Sequence, residues 1–364
     1  MNIVLTGPMG SGKSSVGREV AAALGLKLAD MDAIIESETQ RTISEIFADG
    51  DEESFREIEC ELARRLAGMD GLVIATGGGV VLRPENMRRL RLSGIVIRLD
   101  APAGVLLERV RGAGNRPVLE ALGSSEAGLK KHLEDREQFY SICDHTIDTG
   151  KMSIEEVIVQ VCRIASLPTF RICACISGDN PEKDVLHAAR NGAAMVELRL
   201  DLIPEPAIES LVRGSPVPVI ATDRADPQNL RNAISAGCEF IDIDFHCPEK
   251  DGIIRLASEN GCSAIVSLHD FEGVPGSIPE KGAADFLKIA ATLNSTDDLK
   301  KLVGLHGRRD DVIIAAMGPL GGLLRVFGPM LGSYLTYCYI GEPTATGQLE
   351  LKAMMDIYRG MKLR

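Results

Sequence analysis

The segment Gly7–Ser14 reads Gly-Pro-Met-Gly-Ser-Gly-Lys-Ser and fits the pattern GxxxxGK[ST] of loops that bind nucleotide phosphates. The apolar run Asn2–Thr6 predicts a buried strand before it, and the spacing of apolar and small residues predicts a helix over Ser14–Leu24. A strand and a helix on either side favour a phosphate loop over an ordinary glycine-rich turn. We therefore expect Lys13 to reach the β- and γ-phosphates of ATP and the Ser14 hydroxyl to hold Mg²⁺. The residues expected at ATP are Gly10, Ser11, Gly12, Lys13, Ser14 and Ser15.

A second set of polar residues follows the next two predicted strands. Asp30 and Asp32 end a short strand over 27–31, and three glycines, Gly77–Gly79, follow a strand over 72–76. Carboxylates beside a phosphate loop suit metal and hydroxyl binding, although an isolated Asp-x-Asp pair is more often a solvated turn. Glycines after a strand allow a ligand to approach the backbone closely. Arg56, in a charged helical stretch, is either a surface residue or a clamp for an anion.

The second half of the chain contains a lysine in an unusual setting. Lys288 lies in the apolar segment Asp-Phe-Leu-Lys-Ile-Ala-Ala, where a charged amine is costly unless it is paired or deprotonated. A lowered pKa would let this amine attack a ketone and form a Schiff base. His269, on the adjacent predicted strand, could act as general base and acid. Alone, each residue is more often structural, but their neighbouring positions favour catalysis.

Other charged residues stand at predicted strand ends nearby. Glu197 and Arg199 end one strand, and strand alternation places both on the same face, so we expect an inward-facing ion pair between them. Arg224 ends the next strand, and Asp242 and Asp244 lie on the one after.

Two different architectures are needed to position these sets, and 364 residues are long enough for two domains. In the first half, we predict a five-stranded parallel sheet with helices on both faces, which a strand at 95–99 and one at 145–148 would complete. In the second half, eight strands alternate with helices, which predicts a (β/α)₈ (TIM) barrel with its chemistry at the carboxyl ends of the strands. The eight predicted strands are 170–177, 195–201, 217–224, 240–245, 263–271, 286–292, 311–318 and 334–340.

The composition indicates the kind of ligand and the cellular compartment to expect. The net charge of −12 argues against a general nucleic-acid or membrane surface, so anionic substrates must meet local clusters of Arg and Lys. The nine cysteines include no Cys-x-x-Cys pair and predict free thiols in a reducing compartment; we expect Cys173 and Cys175 to be core residues. The chain shows no signal-peptide pattern and no apolar run of membrane-spanning length, so we expect a cytoplasmic protein.

The first 165 or so residues resemble shikimate kinase. The resemblance rests on the phosphate loop, Asp30-Met-Asp32, Phe55-Arg-Glu-Ile-Glu59, the triple glycine, Asn115-Arg-Pro117, and Arg136 with Tyr140. It implies that Asp30 joins Ser14 at Mg²⁺, that Asp32 orients the 3-hydroxyl of shikimate, and that Arg116 comes from a mobile lid to neutralise the transferring phosphoryl group. Arg111 is the implied adenine contact, with Arg109 close by. The implied shikimate contacts are Asp32, Arg56, Gly78, Gly79 and Arg136, with both arginines on the carboxylate.

From about residue 170 onward, the chain resembles type I 3-dehydroquinate dehydratase. The matching segments are 197–201, 267–271 and 287–290, Met317-Gly318 with Gly321 and Arg325, and 344–348. The resemblance implies that Lys288 forms an imine with 3-dehydroquinate, that His269 removes the C2 proton and assists loss of the C1 hydroxyl, and that no metal or other cofactor is needed. The implied substrate contacts are Glu197, Arg199, Arg224, Arg325, Thr344 and Gln348. The family often dimerises, which makes a homodimer one expected assembly.

The second resemblance has two departures. After Arg224, the chain reads Ala-Asp226-Pro-Gln228, where the family usually carries an acidic residue followed by glycines, so we expect Gln228 or Asp226 to replace the carboxylate that assists His269. Thr344 and Thr346 stand where the family usually has serine and proline.

Together, these patterns predict a bifunctional enzyme of the shikimate pathway, with a kinase domain at 1–165, a linker at 166–170 and a dehydratase barrel at 171–364. The small-molecule substrates would be shikimate, ATP and 3-dehydroquinate. The alternatives are another small-molecule P-loop kinase or a nucleotide-binding switch in the first half, and a class I aldolase-like or inactive barrel in the second.

Overall fold

The structure is a computed structural model that describes residues 1–48, 52–111, 125–167, 170–307 and 309–361. The chain divides into two compact units, Met1–Leu167 and Pro168–Arg364. None of the helices in the described ranges is both long enough and apolar enough to span a bilayer.

The described part of the first unit is built on five parallel strands in the order β2-β3-β1-β4-β5. The predicted parallel sheet is confirmed. Strands β1 and β5 have the predicted bounds, whereas β4 extends one residue beyond its prediction at each end. The strands are β1 Asn2–Thr6, β2 Lys27–Asp30, β3 Leu72–Ala75, β4 Gly94–Asp100 and β5 His145–Asp148.

Helices cover both faces of this sheet because its strands are apolar on both sides. Ile3 and Leu5 point to one face and pack with Val20 and Val161, while Val4 points to the other and packs with Phe55. The α-helices are Lys13–Leu24, Met31–Thr39, Ile43–Ala48, Glu52–Ala67, Pro84–Ser93, Ala103–Arg111, Glu126–Tyr140 and Ile154–Ala165, with a 3₁₀ turn at Val80–Leu82.

The second unit is an eight-stranded parallel sheet in its described residues, with neighbours in the order β12-β11-β10-β9-β8-β7-β6-β13. It forms a nearly closed barrel, and the predicted (β/α)₈ fold is confirmed. Each strand lies within its predicted range and is shorter than predicted. The strands are β6 Ile172–Ile176, β7 Met195–Arg199, β8 Val219–Thr222, β9 Phe240–Asp244, β10 Ser263–Asp270, β11 Phe286–Ala291, β12 Val312–Ile314 and β13 Thr336–Tyr339.

In the described residues, helical segments separate every consecutive pair of these strands except β10 and β11. All the strands run in the same direction, and their carboxyl ends meet at one end of the barrel. The register sets Ser267 opposite Lys288 on β10 and β11, and Ser267 opposite Asp244 on β10 and β9. The α-helices are Pro181–Arg190, Ile208–Gly214, Pro227–Ala236, Lys250–Glu259, Thr296–His306, Gly321–Phe327 and Leu351–Gly360, with 3₁₀ turns at Leu200–Leu202 and Pro329–Leu331.

Candidate active sites

The phosphate loop of the first unit has a backbone that favours glycine. Gly7, Gly10 and Gly12 have φ values of 138°, 79° and 97°. A side chain at Gly7 would also overlap with the carbonyl oxygen of Leu99 on β4. Gly12 is the N-cap of helix Lys13–Leu24, so the free N–H groups of this helix start directly after the loop. The loop can therefore present N–H groups to an anion.

The side chains of the loop are arranged around this helix start. The Lys13 amine donates to the carbonyl oxygens of Gly7 and Pro8 at 2.8 and 2.9 Å. Ser14 and Ser15 are exposed in the first turn. The Ser11 hydroxyl is buried and has no hydrogen-bond partner in the described residues. This set of ammonium, hydroxyl and N–H groups fits a polyphosphate.

Two carboxylates lie beside the first glycine of the triple-glycine segment. A Cβ atom at Gly77 would lie 2.8 Å from Asp32 Oδ1 and 2.7 Å from Glu59 Oε1. Asp30, at the end of β2, uses its Oδ1 to accept a hydrogen bond of 3.3 Å from the Ala33 N–H and so caps the helix that carries Asp32. Burial raises the pKa of Glu59, against the opposing effect of Arg56. Two acidic side chains therefore face the turn after β3.

Arg56 lies against the third glycine. It forms ion pairs with Glu59 and, at 3.1 Å, with Glu52. A Cβ atom at Gly79 would overlap with Arg56 Nη1. Burial works to lower the pKa of Arg56, but the two glutamates outweigh it, so the guanidinium keeps its charge. Only glycine at position 79 leaves room for this guanidinium.

The helix Glu126–Tyr140 adds two further groups to the same place. The buried Tyr140 hydroxyl donates to the carbonyl oxygen of Gly78 at 2.7 Å, and the Arg136 side chain interacts with Tyr140 and with Glu59. The predicted shikimate-binding residues are therefore brought together around the triple-glycine segment; these are Asp32, Arg56, Gly78, Gly79 and Arg136.

The arginines predicted at ATP are only partly described. Arg116 lies outside the described residues, and Arg111 is exposed at the end of helix Ala103–Arg111. Arg109, which sequence reasoning ranked behind Arg111, donates to the hydroxyl and carbonyl oxygens of Thr149 at 3.0 and 2.7 Å. Thr149 in turn reaches the carbonyl oxygen of Ser11 at 3.5 Å. The same hydroxyl reaches the carbonyl oxygen of Asp100 at 3.0 Å, so Arg109 is held through Thr149 beside the end of β4 and close to the phosphate loop.

The barrel contains a cavity of about 360 Å³ at the carboxyl ends of its strands. All the residues predicted to bind or convert dehydroquinate line it: Glu197, Arg199, Arg224, His269, Lys288, Arg325, Thr344 and Gln348. Cys175, Asp244, Phe271 and Tyr337 line it as well. The lining combines apolar side chains with several cations and carboxylates, as expected for a small anionic ligand.

Lys288 is 6% exposed and points into this cavity between two buried carboxylates. Its amine donates to Asp242 Oδ2 at 2.7 Å and to Glu197 Oε1 at 3.3 Å, and it lies 4.2 Å from the centre of the Tyr337 ring. Burial alone would lower the pKa of Lys288, but Asp242 and Glu197 outweigh burial and raise it above its ordinary value. Of the two states that the sequence left open, the lysine in this structure is therefore paired and not deprotonated.

Glu197 and Arg199 both line the cavity, but the predicted ion pair between them is wrong. Arg199 forms a bidentate ion pair with Asp201, in which Nε donates to Oδ1 at 3.0 Å and Nη2 donates to Oδ2 at 2.8 Å. Glu197 instead accepts from Lys288, from the Thr222 hydroxyl at 2.9 Å and from the Cys175 thiol at 2.9 Å. Cys175 is thus part of the site and not only a core residue. The sequence feature that could have indicated this role is the position of Cys175 on the inward-facing side of a barrel strand.

Asp242 is fully buried and accepts from several donors. Besides Lys288, the Arg224 guanidinium donates to its Oδ1 at 2.7 Å, and the Ser267 hydroxyl donates to the same oxygen. Burial would raise the pKa of Asp242, but Arg224 and Lys288 hold it well below its ordinary value. The carboxylate is therefore charged, and it joins two cations of the cavity.

His269 faces Asp244, with 3.5 Å between Nδ1 and Oδ2, and its ring stacks on Phe271 with 5.9 Å between the ring centres. Burial, together with Arg224 and Lys288, lowers the pKa of His269 to about 4. The imidazole is therefore neutral near pH 7 and able to accept a proton. Gln228 and Asp226, which were predicted to assist His269, do not line this cavity in the structure; both are exposed and bond locally.

Arg325 is 2% exposed and belongs to helix Gly321–Phe327. Its Nη1 donates to the carbonyl oxygen of Tyr337 at 3.2 Å, whereas its Nε has no hydrogen-bond partner within the described part of the chain. Burial lowers the pKa of Arg325. A guanidinium that lines a cavity is suited to bind a carboxylate.

Gln348 holds the segment 344–348 against the cavity. Its Oε1 accepts from the N–H groups of Thr344 and Ala345 at 2.7 and 3.1 Å, and its Nε2 reaches the Cys175 sulfur at 3.6 Å. Thr344 and Gln348 are thereby kept at the cavity rim.

Comparisons with known proteins agree with the two sites. A family model described as shikimate kinase matches residues 9–165, and one described as type I 3-dehydroquinase matches residues 172–364. A shikimate kinase of Pelotomaculum thermopropionicum is 43% identical over 160 residues, which are 44% of this chain and 92% of that protein.

Two solved structures are similar to one part of the chain each. The shikimate kinase from Acinetobacter baumannii in complex with shikimate is 35% identical, with coverage of 45% of this chain and 91% of that chain and a TM-score of 0.43. The 3-dehydroquinate dehydratase from Aquifex aeolicus VF5 is 24% identical, with coverage of 52% and 98% and a TM-score of 0.46. On the family models and the curated relative, the chain belongs to two families at once and joins a shikimate kinase domain to a type I 3-dehydroquinase domain in one polypeptide.

Proposed function

We propose that residues 1–165 use ATP to phosphorylate the 3-hydroxyl of shikimate, and that residues 171–364, after a linker at 166–170, dehydrate 3-dehydroquinate to 3-dehydroshikimate through an imine on Lys288. For the barrel, the decisive observation is a buried lysine that faces a cavity next to a neutral histidine. For the kinase, it is the convergence of Asp32, Arg56 and Arg136 on the triple glycine.

In the kinase, binding and charge neutralisation are the main tasks of the protein. The N–H groups of the loop and Lys13 would hold the phosphates. Asp32 would orient the attacking hydroxyl, while Arg56 and Arg136 would pair with the shikimate carboxylate. Arg116, and either Arg109 or Arg111, would complete the ATP side.

The oxygen donors beside the loop fit Mg²⁺, which prefers hydroxyl and carboxylate ligands. Ser14 is exposed in the first helical turn, and Asp30 uses only its Oδ1 in capping a helix. These two residues would hold the ion together with phosphate oxygens. The bound ion would supply charge neutralisation at the β- and γ-phosphates.

In the barrel, the first requirement is a free amine. Lys288 must lose a proton to solvent before it attacks the ketone, and its pairing with Asp242, 2.7 Å away, opposes that loss. Attack and loss of water then give the imine, which acidifies the neighbouring C2 proton. His269 would take that proton and return it to the departing C1 hydroxyl, so that water leaves. Hydrolysis of the imine would restore the lysine and release the product.

Binding of the substrate would use the rest of the cavity. Arg325 lines the cavity and would pair with the substrate carboxylate, while the hydroxyls and the ring would contact Glu197, Arg199, Arg224, Thr344 and Gln348. An aldolase-like reaction would require cleavage of a carbon–carbon bond, and an inactive scaffold would leave Lys288 unmodified.

Borohydride reduction tests the barrel reaction. Treatment with 3-dehydroquinate and borohydride should add a ligand-derived mass to Lys288, and Lys288→Ala should abolish the adduct. Lys300→Ala is the matched control, because Lys300 is exposed and pairs with the exposed Asp297. An adduct on another lysine, or none on the intact protein, would contradict the proposal.

Substrate-dependent ATP consumption tests the kinase. ADP should form with shikimate and not with other polyols or nucleotides, and Lys13→Ala should remove this activity while dehydration of 3-dehydroquinate continues. ADP formation with another acceptor would favour a different P-loop kinase, and nucleotide binding without transfer would favour a switch.

We also propose that the protein is a cytoplasmic enzyme that acts on small molecules. The net charge of −12 supports the proposal that it does not bind nucleic acid or membranes. A homodimer is the assembly to test by light scattering of the purified protein.

A further inference from the structure

One carboxylate in the barrel is aimed at the imidazole of His269. Asp244 ends β9 and His269 stands near the end of β10, and these two strands are hydrogen-bonded neighbours. Asp244 Oδ1 accepts the N–H of His246 at 2.8 Å, which fixes the carboxylate, and Oδ2 lies 3.5 Å from His269 Nδ1. The backbone thus holds one oxygen while the other faces the ring.

The two residues that sequence reasoning favoured for this role are occupied elsewhere. Asp226 caps helix Pro227–Ala236 by accepting the Gln228 N–H at 2.9 Å, and the Gln228 amide donates to Asn232 one turn later at 3.1 Å. Both side chains are exposed, whereas Asp244 and His269 line the same cavity.

We propose that Asp244 is the positioning residue of His269: it accepts a hydrogen bond from the Nδ1–H group and so leaves Nε2 free to take the substrate proton and return it. The inference rests on the dehydration proposed above. A carboxylate at Nδ1 selects the tautomer, orients the ring and stabilises the imidazolium that forms during proton transfer. A contact of 3.5 Å is long for a hydrogen bond, and such contacts often shorten once substrate is bound.

The other charged groups around the ring make this partner necessary. His269 is faced by the cations Arg224 and Lys288 and by the carboxylates Asp242 and Asp244, and burial adds to the effect of the cations. Asp242 is already bonded to Arg224, Lys288 and Ser267. Asp244 is therefore the carboxylate that remains to balance a charged imidazole.

Asp244→Asn keeps the shape and removes the charge, and Asp244→Ala removes both. We expect kcat for dehydration to fall by roughly 10- to 100-fold, with more loss in Asp244→Ala and little change in KM. The carboxylate raises the pKa of His269, so its removal should displace the acidic limb of the kcat profile to lower pH. A merely structural role for Asp244 would not move this limb.

Asp226→Asn is the matched control, because it makes the same exchange and asparagine keeps the helix cap. With Gln228→Ala, it should leave kcat and the pH profile as in the unchanged protein. The inference is overturned if both Asp244 variants keep the original kcat and profile, or if Asp226→Asn loses them instead.

Trapping separates this inference from the function on which it rests. Imine formation precedes removal of the C2 proton, so Asp244→Asn should reach the same final occupancy of the borohydride adduct on Lys288 as the unchanged protein. If the unchanged protein gives no adduct, the proposed dehydration is wrong. If only the Asp244 variants give none, Asp244 acts before proton transfer and the positioning role is wrong.

Discussion

The amine of Lys288 lies 2.7 Å from the carboxylate of Asp242, and both side chains are almost completely buried. Glu197 approaches the same amine at 3.3 Å. Removing charges from water is costly, and mutual pairing offsets that cost only when the geometry is good. In this structure, the barrel therefore holds Lys288 as a charged, paired group.

Replacing Asp242 should make this lysine easier to deprotonate. Asp242 is the strongest of the groups that raise the pKa of Lys288, so Asp242→Asn should lower that pKa, and Arg224, left without its partner, should lower it further. Formation of the imine needs the neutral amine, so the pH at which the trapping rate rises should be displaced to lower values.

The measurement is the rate of borohydride trapping between pH 6 and pH 10, with the labelled fraction of the protein determined by mass spectrometry. Asp297→Asn is the control, because Asp297 is exposed and pairs with Lys300. A trapping profile of Asp242→Asn that lies at higher pH would contradict the role assigned to Asp242.

Acid should destabilise the barrel through the same carboxylate. The pKa of Asp242 is held well below its unfolded value of about 3.9, so its contribution to stability is present above that value and is lost as the pH falls toward the folded pKa. Thermal unfolding of the intact protein should therefore show a steep fall in the Tm of the barrel below about pH 4.

Asp242→Asn should remove most of that acid dependence while lowering stability at neutral pH. Breaking a buried pair costs about 3–5 kcal/mol, and the remaining contact with Glu197 places the expected loss near the lower end. Parallel acid dependence in the variant and the unchanged protein would show that other carboxylates control it.

Much of the fold followed from local patterns. The strands of both sheets were predictable because most are short, largely apolar runs between turn signals, and the phosphate loop marked one strand–helix junction. Strand ends were less predictable. Asp201 and Arg224 were predicted to end strands, but they lie beyond the ends of β7 and β8. A run of strand-forming residues does not show where neighbouring strands stop pairing.

The residues of the barrel site were predictable, but their pairing was not. Alternation along a strand indicates which face Glu197 occupies, but it does not show that Lys288, 91 positions later, becomes its partner. The charge of Lys288 depends on that partner, so the sequence alone could not show whether the lysine is paired or deprotonated. Asp244 and Cys175 gained their roles in the same way, through neighbours on adjacent strands.

Arg325 should be needed for substrate and not for folding. Its guanidinium is buried with an unused Nε, which opposes stability. Arg325→Met should therefore leave the Tm of the barrel unchanged or raise it. Loss of a charge-assisted hydrogen bond to the substrate carboxylate, about 1.5–3 kcal/mol, should raise KM for dehydroquinate by roughly 10- to 100-fold.

The control is Arg213→Met, since Arg213 is exposed on helix Ile208–Gly214 and should affect neither quantity. A lower Tm with normal KM in Arg325→Met would show that the arginine supports the barrel instead of binding substrate.

Gly79→Ala should impair the kinase through a single methyl group. A Cβ atom at position 79 would overlap with the Arg56 guanidinium, so the arginine must leave its place between Glu59 and Glu52. Displacement of a carboxylate clamp should raise KM for shikimate by roughly tenfold or more and leave KM for ATP little changed.

Gly68→Ala is the matched control, because a Cβ atom there meets its nearest neighbour, the Arg65 carbonyl oxygen, at an ordinary 3.5 Å. Equal changes in KM for shikimate in the two variants would mean that the position of Arg56 does not govern shikimate binding. An increase in this KM confined to Gly79→Ala would show that binding depends on the room that Gly79 leaves for Arg56.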